Sequence, residues 1–548
     1  MNQRICSAIL CALTVLPLLT ACGGDTPKSG AGHSFSYTLV GNPDTLDPQL
    51  AVSASAKTVL ANLFEGLFTL EPDGSVKNGV VKDYTVSDDG LHYVFDLRTD
   101  SYWYQATDSK GDFGGEAARA VTAADFEFAF QRLFDPLYES PYREQFRCIE
   151  HAGDILAGTE DPSMIGVYAR RDDRLEIVLD TPAADLPMLL AATAALPCNA
   201  DYFESTRGRY GLDESSILGN GSFSVQRWLY DPYGKYNVIQ MVRNPLNHEV
   251  NKIYPTDLQF FIEESQADAE RIFTAGAADC LVTAQTTILN DSSVQKQGAF
   301  SLTLGLAANP DSEFGRTPYL MQALAKSLDP AAVQAVCPPD IQPAFGILPP
   351  AVRLGGKSVR ELLSDAVYRK YDLTAARADH ALALSALSVG EIGEGTVLAP
   401  AGLMDYSALL SAAAQWEAAL GLHIRVEEVP QSEYDARIRS GSYTLALVAV
   451  TGTDQSPASL LLGYAQTPGI HCDAAAKVSA LVQQAAAAEN MSAQIACLRE
   501  AEEEILADAC FLPLFYKQRA LVCKSGVEDV RCNLFTGTVI FSEAKYFE

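Results

Sequence analysis

The chain has 548 residues, and its 40 Lys and Arg stand against 69 Asp and Glu for a formal charge of −29. That balance argues against nucleic acid as a partner and favours solubility outside the cell. A single core is excluded by length, since domains stop growing near about 250–300 residues; two or three domains are expected.

Arg4 precedes an apolar run over residues 5–19 that ends at Leu19-Thr20-Ala21-Cys22. A positive start, a short apolar stretch and small residues before a cleavage point describe an export signal. Leu-Thr-Ala-Cys resembles the bacterial lipobox, whose cysteine is acylated on sulfur and becomes the mature N-terminus. Residues 1–21 are therefore read as the signal and Cys22 as the lipid attachment, with an ordinary signal peptide or an anchor helix as the alternatives. Residues 22–33 read as a flexible tether of Gly, Ser, Pro and Asp. No later stretch approaches the about 18 apolar residues that a membrane span needs.

Residues 34–40 alternate apolar and polar and predict a strand; Asn42-Pro43-Asp44 is a turn signal. Helical spacing follows over 57–67. Strands are predicted at 84–86 and 92–97, joined by Ser87-Asp88-Asp89-Gly90, in which glycine supplies the positive φ of a hairpin. Residues 122–133 predict a helix capped by Thr122, with Asp125 in its first turn. Helices are also expected over 406–420, closed by Gly421, and over 478–506 with a break near Glu489-Asn490. Strands are expected over 423–429 and 510–515. Strand and helix alternate to the end, the pattern of α/β layers.

Cysteine usage fits no zinc module, since C-x-x-C does not occur. Beyond Cys6, Cys11 and Cys22 there are Cys148, Cys198, Cys280, Cys337, Cys472, Cys497, Cys510, Cys523 and Cys532. An odd number in an exported chain leaves one thiol unpaired within the molecule. Most read as small core residues, with Cys523 and either Cys532 or Cys510 as the disulfide candidates.

Several motifs recur together. They are Thr45-Leu46-Asp47-Pro48, Asn62-Leu63-Phe64-Glu65-Gly66-Leu67, Tyr93-Val94-Phe95-Asp96-Leu97-Arg98 and Val121-Thr122-Ala123-Ala124-Asp125-Phe126. Gln131-Arg132, Asp135-Pro136, Ser140-Pro141-Tyr142, Gly219-Asn220-Gly221-Ser222-Phe223, Trp228, Leu420-Gly421-Leu422 and Leu512-Pro513-Leu514-Phe515-Tyr516 follow. In order and spacing the set resembles the peptide-binding branch of the bacterial family 5 extracellular solute-binding proteins. The resemblance implies an α/β type II periplasmic-binding-protein fold, two α/β lobes joined by hinge strands with an extra inserted domain. Lobe I would comprise 34–64, 199–301 and 518–548, the inserted domain 65–198 and lobe III 302–517. It implies a monomeric, lipid-anchored substrate-binding protein that captures oligopeptides between closing lobes and passes them to the permease and ATPase subunits of an ABC importer. A non-peptide solute such as a nickel chelate, oligosaccharide or glutathione-like thiol, or a surface receptor role, is the alternative. No catalytic motif, cofactor or metal site is read: H-E-x-x-H, G-x-S-x-G and phosphate-cradling loops do not occur.

Carried over by position, the resemblance places the family's first peptide-pairing strand, whose backbone groups meet the ligand, at Val52 to Ala54, against an ordinary loop. Tyr142 becomes a cleft tyrosine or one packed beneath the cleft. Val450, Thr451, Gly452, Thr453 and Asp454 occupy the segment where the family has Gly-Trp and then, four residues before a proline, an aspartate that binds the peptide ammonium. Here Ala449-Val450 replaces Gly-Trp, and Thr453 stands four residues before Pro457, with Asp454 one step late. One step along a strand reverses the face. Either a shorter turn returns Asp454 to register or the anchor is missing. The family's frequent disulfide would join Leu302 and Thr451, neither a cysteine. Arg439 lies where some members place basic residues for the peptide carboxylate, or is simply solvated.

Overall fold

The computed structural model describes residues 32–547 apart from 73, 107–118, 184–185, 235, 355–356, 364–369, 451, 453–455, 465–466, 487 and 489. The signal and Cys22 lie outside the described residues.

One 11-stranded mixed sheet organises these residues. Its strands, in chain order, are β1 (Ser34–Val40), β2 (Phe223–Leu229), β3 (Val238–Arg243), β4 (Asp257–Glu263), β5 (Cys280–Thr283), β6 (Gln295–Ala308), β7 (Ile341–Pro343), β8 (Gly395–Pro400), β9 (Ile424–Val429), β10 (Leu445–Val450) and β11 (Phe511–Cys523). Across the sheet the order is β9-β8-β10-β6-β11-β5-β1-β4-β3-β2, with β7 also on β11. β1 takes the bounds its alternation predicts, with Phe35, Tyr37 and Leu39 buried.

The antiparallel pair β6 and β11 links two regions with separate cores. They run from Gln295 opposite Cys523 to Ala307 opposite Phe511, with irregularities at Phe300/Leu302 and Leu304/Gly305. Leu521 and Cys523 belong to a core that also holds Phe35, Leu63, Phe130 and Phe260. Ala520 and Val522 face a small cluster with Phe273 and Leu281 on the other side of the sheet. At the other end, Leu512 and Phe515 join Leu304, Trp416 and Leu447, while Phe511 joins Ala307, Val448, Val450 and Tyr464. Alternate residues of β10 thus serve opposite cores, so apolar layers cover both of its faces.

The helices show why local signals place them. α1 (Ala54–Leu63) starts at Ser53, whose hydroxyl accepts the Ala56 amide, and ends where Phe64 turns extended. It is shifted towards the N-terminus from the predicted 57–67, because the Ser53 cap opens it early. In α2 (Ala123–Phe134) the Thr122 and Asp125 side chains form a reciprocal capping box, which satisfies two otherwise orphaned amides. α3 (Ser407–Leu420) closes on Gly421 at φ 73, as predicted. α4 (Gln431–Ser440) and α5 (Pro457–Tyr464) flank β10 in the chain. The predicted break near Asn490 separates α6 (Ala475–Ala486) from α7 (Met491–Asp508), with Asn490 capping the latter. The hairpin at 87–90 forms between Val81–Val86 and His92–Leu97, with Gly90 at φ +71.

The recurring motifs pack on one another. Asn220 accepts the Glu65 amide at 3.0 Å and donates to the Glu65 carbonyl at 2.9 Å. Gly219 and Gly221 press on Leu63, so closely that a Cβ on Gly219 would lie 2.3 Å from the Leu63 carbonyl oxygen. Gly219→Ala is expected to lower stability by about 1–3 kcal/mol, the usual cost of overpacking, read as a shift of the denaturation midpoint with unchanged slope.

Two sequence expectations are corrected. β11 extends to Cys523 rather than stopping at 515, because β6 and β5 supply ladder partners along its whole length. All nine described cysteines are free thiols. Cys523 meets neither Cys532 nor Cys510 but stands opposite Cys280 across the β5–β11 ladder, with the sulfurs 3.2 Å apart.

Candidate functional site

The segment at 47–54 is held from below by the motifs around it. Arg132, on α2, places one guanidinium nitrogen 2.5 Å from the Asp47 carboxylate and the other 2.8 Å from the Gln49 side-chain oxygen. Both members of the Asp47–Arg132 pair are buried, and the guanidinium lies 4.0 Å over the Phe203 ring. Gln49 donates to the Leu196 and Ala194 carbonyls at 2.9 and 3.2 Å. Ser140 donates to the Gln49 carbonyl at 2.7 Å and Tyr142 to the Ala51 carbonyl at 2.5 Å.

Val52 to Ala54 is a turn into a helix, not a strand: Ser53 is the cap of α1 and Ala54 its first residue. The Val52 amide is taken by Asp44 at 3.0 Å, and the Ser53 hydroxyl donates to the same carboxylate at 2.5 Å. Burial alone would push the Asp44 carboxyl up, but the Ser53 hydroxyl and the two amides outweigh it and hold the carboxyl below its ordinary value. The result is a braced rim from which the Val52 side chain projects, 56% exposed.

Tyr142 takes the packed position. It is 6% exposed, its hydroxyl is engaged by Ala51, and burial raises its pKa well above the ordinary phenol value. Its ring lies 5.6 Å from the Lys57 ammonium. Beside it is a cavity of about 160 Å³ lined by Lys57, Phe64, Tyr142, Gln145, Arg531 and Asn533 among others. A larger cavity of about 650 Å³, lined by Met321, Phe345, Lys370 and Glu503 among others, includes none of the expected ligand residues.

The second part of the site is the end of β10. It pairs with β6 over its full length, from Thr303 opposite Val450 to Ala308 opposite Leu445. With β8, on its other side, it pairs only at Leu445 and Ala446. Among the described residues no strand covers that edge from Leu447 to Val450; the Leu447 carbonyl accepts the Tyr434 hydroxyl at 2.9 Å. An uncovered edge of this kind can accept an extended chain by backbone pairing. Backbone groups alternate along this strand: the Asn309 amide donates to the Thr444 carbonyl, so Val448 and Val450 turn theirs to β6 and Ala449 turns its own to the open edge, while the Val450 side chain is buried in the core with Val448 and Tyr464. Gly452 follows at the strand's end and is partly exposed, while Thr451, Thr453 and Asp454 lie outside the described residues. Arg439 is exposed on α4.

The structure therefore joins Tyr142 to the Val52 rim through Ala51. No hydrogen bond among the described residues joins Val52 or Tyr142 to Val450, Gly452 or Arg439. Sequence reading missed Asp44, taken only as part of a turn, although Asp44 and Ser53 nine residues on are the two groups that brace the rim. It also missed the free β10 edge, which no local signal carries.

Among the described residues no helix is long and apolar enough to cross a membrane. The chain resembles the oligopeptide-binding protein AliB of Streptococcus pneumoniae, 31% identical over 264 residues, which is 47% of this chain and 38% of that protein. It thus spans well under half the length of that relative. Over 467 residues, 81% of each chain, it is 22% identical to the oligopeptide-binding protein OppA of Bacillus subtilis. In fold it matches Listeria monocytogenes OppA bound to peptide with a TM-score of 0.69 at 19% identity, covering 94% of this chain and 99% of that one. The fold is that of the type II periplasmic-binding proteins. Residues 75–470, well over half of the chain, match the family described as bacterial extracellular solute-binding proteins, family 5 Middle, and the chain belongs to that family.

Proposed function

We propose that this chain is the substrate-binding component of an ABC importer, a monomer held at the outer face of the cell membrane by lipidated Cys22 and without catalytic activity. It captures short extended peptides and hands them to the permease and ATPase subunits. The observation that carries the reading is the edge of β10 beyond its pairing with β8, where the Ala449 backbone points outward and no strand among the described residues covers it. Pairing there uses the peptide's own backbone, each hydrogen bond contributing about 0.5–1.5 kcal/mol whatever the side chains, so broad specificity follows. Relatives and fold neighbours named for oligopeptide binding support the same solute class.

Residues 34–64, 199–301 and 518–548 form lobe I, 65–198 the inserted domain and 302–517 lobe III. Separate cores at the two ends of β6 and β11 favour the split of lobe III from the rest, while lobe I and the inserted domain share one core. Closure bends these two strands near Ser301, where their register breaks.

Asp454 is the ammonium anchor of this site. Isothermal titration of the mature chain against short peptides tests both levels. Wild type binds peptides with a free amino end, and Asp454→Ala weakens them by about 2–5 kcal/mol, the usual effect of leaving one partner of a buried charge pair unpaired. An unchanged dissociation constant removes Asp454 from the site, whereas wild-type indifference to all peptides, or their hydrolysis, overturns the transport reading itself.

A further inference from the structure

We propose that Cys472, Asp508 and Cys510 form a zinc site in the region of β10 and β11, remote in sequence from the rim at 47–54. The two sulfurs and a carboxylate oxygen all lie within 4.8 Å of one another. Tetrahedral zinc holds sulfur at about 2.3 Å and oxygen at about 2.0–2.2 Å, which sets ligand atoms a little under 4 Å apart, so small side-chain adjustments close the site. Thiolate with carboxylate favours zinc over the hard cations magnesium and calcium, which take oxygen ligands.

Three further features converge on this point. Asp508 is the last residue of α7, and no basic residue occupies that last turn. A helix C-terminus is already the negative end of the macrodipole, so a carboxylate there is unfavourable until a cation joins it. Ala509 then adopts a left-handed conformation at φ 56, which residues other than glycine disfavour; this turn brings Cys510 back beside Asp508. The Tyr464 hydroxyl, on a fully buried side chain, lies 2.6 Å from the Cys510 sulfur, and the Asp473 amide donates to Asp508 at 3.1 Å. Such outer contacts orient ligands and hold them ready.

All three ligand residues are partly exposed, leaving a fourth position for water. Binding exchanges two thiol protons for the metal: Zn²⁺ and two S–H groups give two Zn–S bonds and two released protons, with no change of oxidation state. Cys472 precedes α6, Asp508 ends α7 and Cys510 precedes β11. The ion would therefore fasten two helices to the strand that leads into the other core.

The test uses the reduced, metal-stripped mature chain, titrated with zinc against a chromophoric chelator and separately with cobalt. About one equivalent should bind, with proton release proportional to buffer ionisation enthalpy. Cobalt should give thiolate charge-transfer absorption in the near ultraviolet and tetrahedral d–d bands. Asp508→Asn should weaken binding by about tenfold or more, since even outer partners are worth that, and Cys472→Ser with Cys510→Ser should abolish it while Cys337→Ser leaves it unchanged. Cobalt binding without charge-transfer absorption, zinc binding that survives the double substitution, or a Cys472–Cys510 disulfide in the chain isolated from its host envelope would each overturn the site. The cobalt spectrum of the wild-type chain decides the matter even if a variant does not fold.

Discussion

Asp340→Ala is expected to destabilise the chain by about 3–5 kcal/mol, because it strands a buried ammonium. Lys517 lies on β11 with its side chain 0% exposed, and its nitrogen is 2.6 Å from the Asp340 carboxylate, itself 2% exposed. Thr286 donates to the same oxygen at 2.7 Å. The cluster sits between the part of β11 that serves the first core and the part that serves the second, beside the irregularity at Phe300/Leu302. Burial pushes the Lys517 pKa below its ordinary value of 10.5, and Asp340 only partly opposes this. Removing Asp340 lowers it further. A base whose folded pKa is depressed binds fewer protons folded than unfolded, so stability of the variant rises with pH up to the unfolded value near about 10.4. Denaturant titrations at pH 7 and 9 read both effects. Asp340→Leu with Lys517→Met should recover most of the loss, since an apolar replacement of a buried pair is often neutral; if the double substitution is as damaging as Asp340→Ala, the charge is not the cause.

Asp47→Ala is the second large expectation, again about 3–5 kcal/mol. It leaves the Arg132 guanidinium buried among Phe203, Tyr138 and Tyr210, at 4.0, 5.0 and 5.4 Å from their rings, with Gln49 and the Cys198 sulfur as its polar partners. Cation–ring attraction of about 0.5–2 kcal/mol offsets only part of the loss. The amides of Leu50 and Ala51 donate to the Asp47 carbonyl at 3.0 and 2.9 Å, so loosening Asp47 also loosens the rim that presents Val52. Hydrogen exchange should therefore quicken at residues 49–53 ahead of global unfolding, and peptide affinity should fall with it. Arg132→Lys in the otherwise unchanged chain should not preserve the contact pattern, because a point charge cannot reach Asp47 and Gln49 in the fork geometry of a guanidinium. Exchange that is unchanged at 49–53 would show that the rim does not depend on this pair.

Much of the fold was legible where a few neighbouring residues decide it. Alternation over Phe35, Tyr37 and Leu39 gave β1 its bounds, Thr122 and Asp125 gave α2 its start, and Gly421 and Asn490 marked an end and a beginning. Capping and periodicity act within one or two turns, so they can be read in isolation. The misplacement of α1 has the same scale: Ser53 outcompeted the apolar spacing that began at Lys57.

By itself, then, the sequence determined the element types, the family frame and the fold that goes with it, since these rest on local spacing and on motifs in order. Only the tertiary structure decided that Tyr142 supports the rim from beneath, that Val450 is buried with its backbone turned to β6, and that β11 runs on to Cys523. It alone joined Arg132 to Asp47 across 85 positions, Lys517 to Asp340 across 177 and Cys523 to Cys280 across 243. Partners so far apart are chosen by how the layers stack and which strand edges remain uncovered, and no local pattern records that choice.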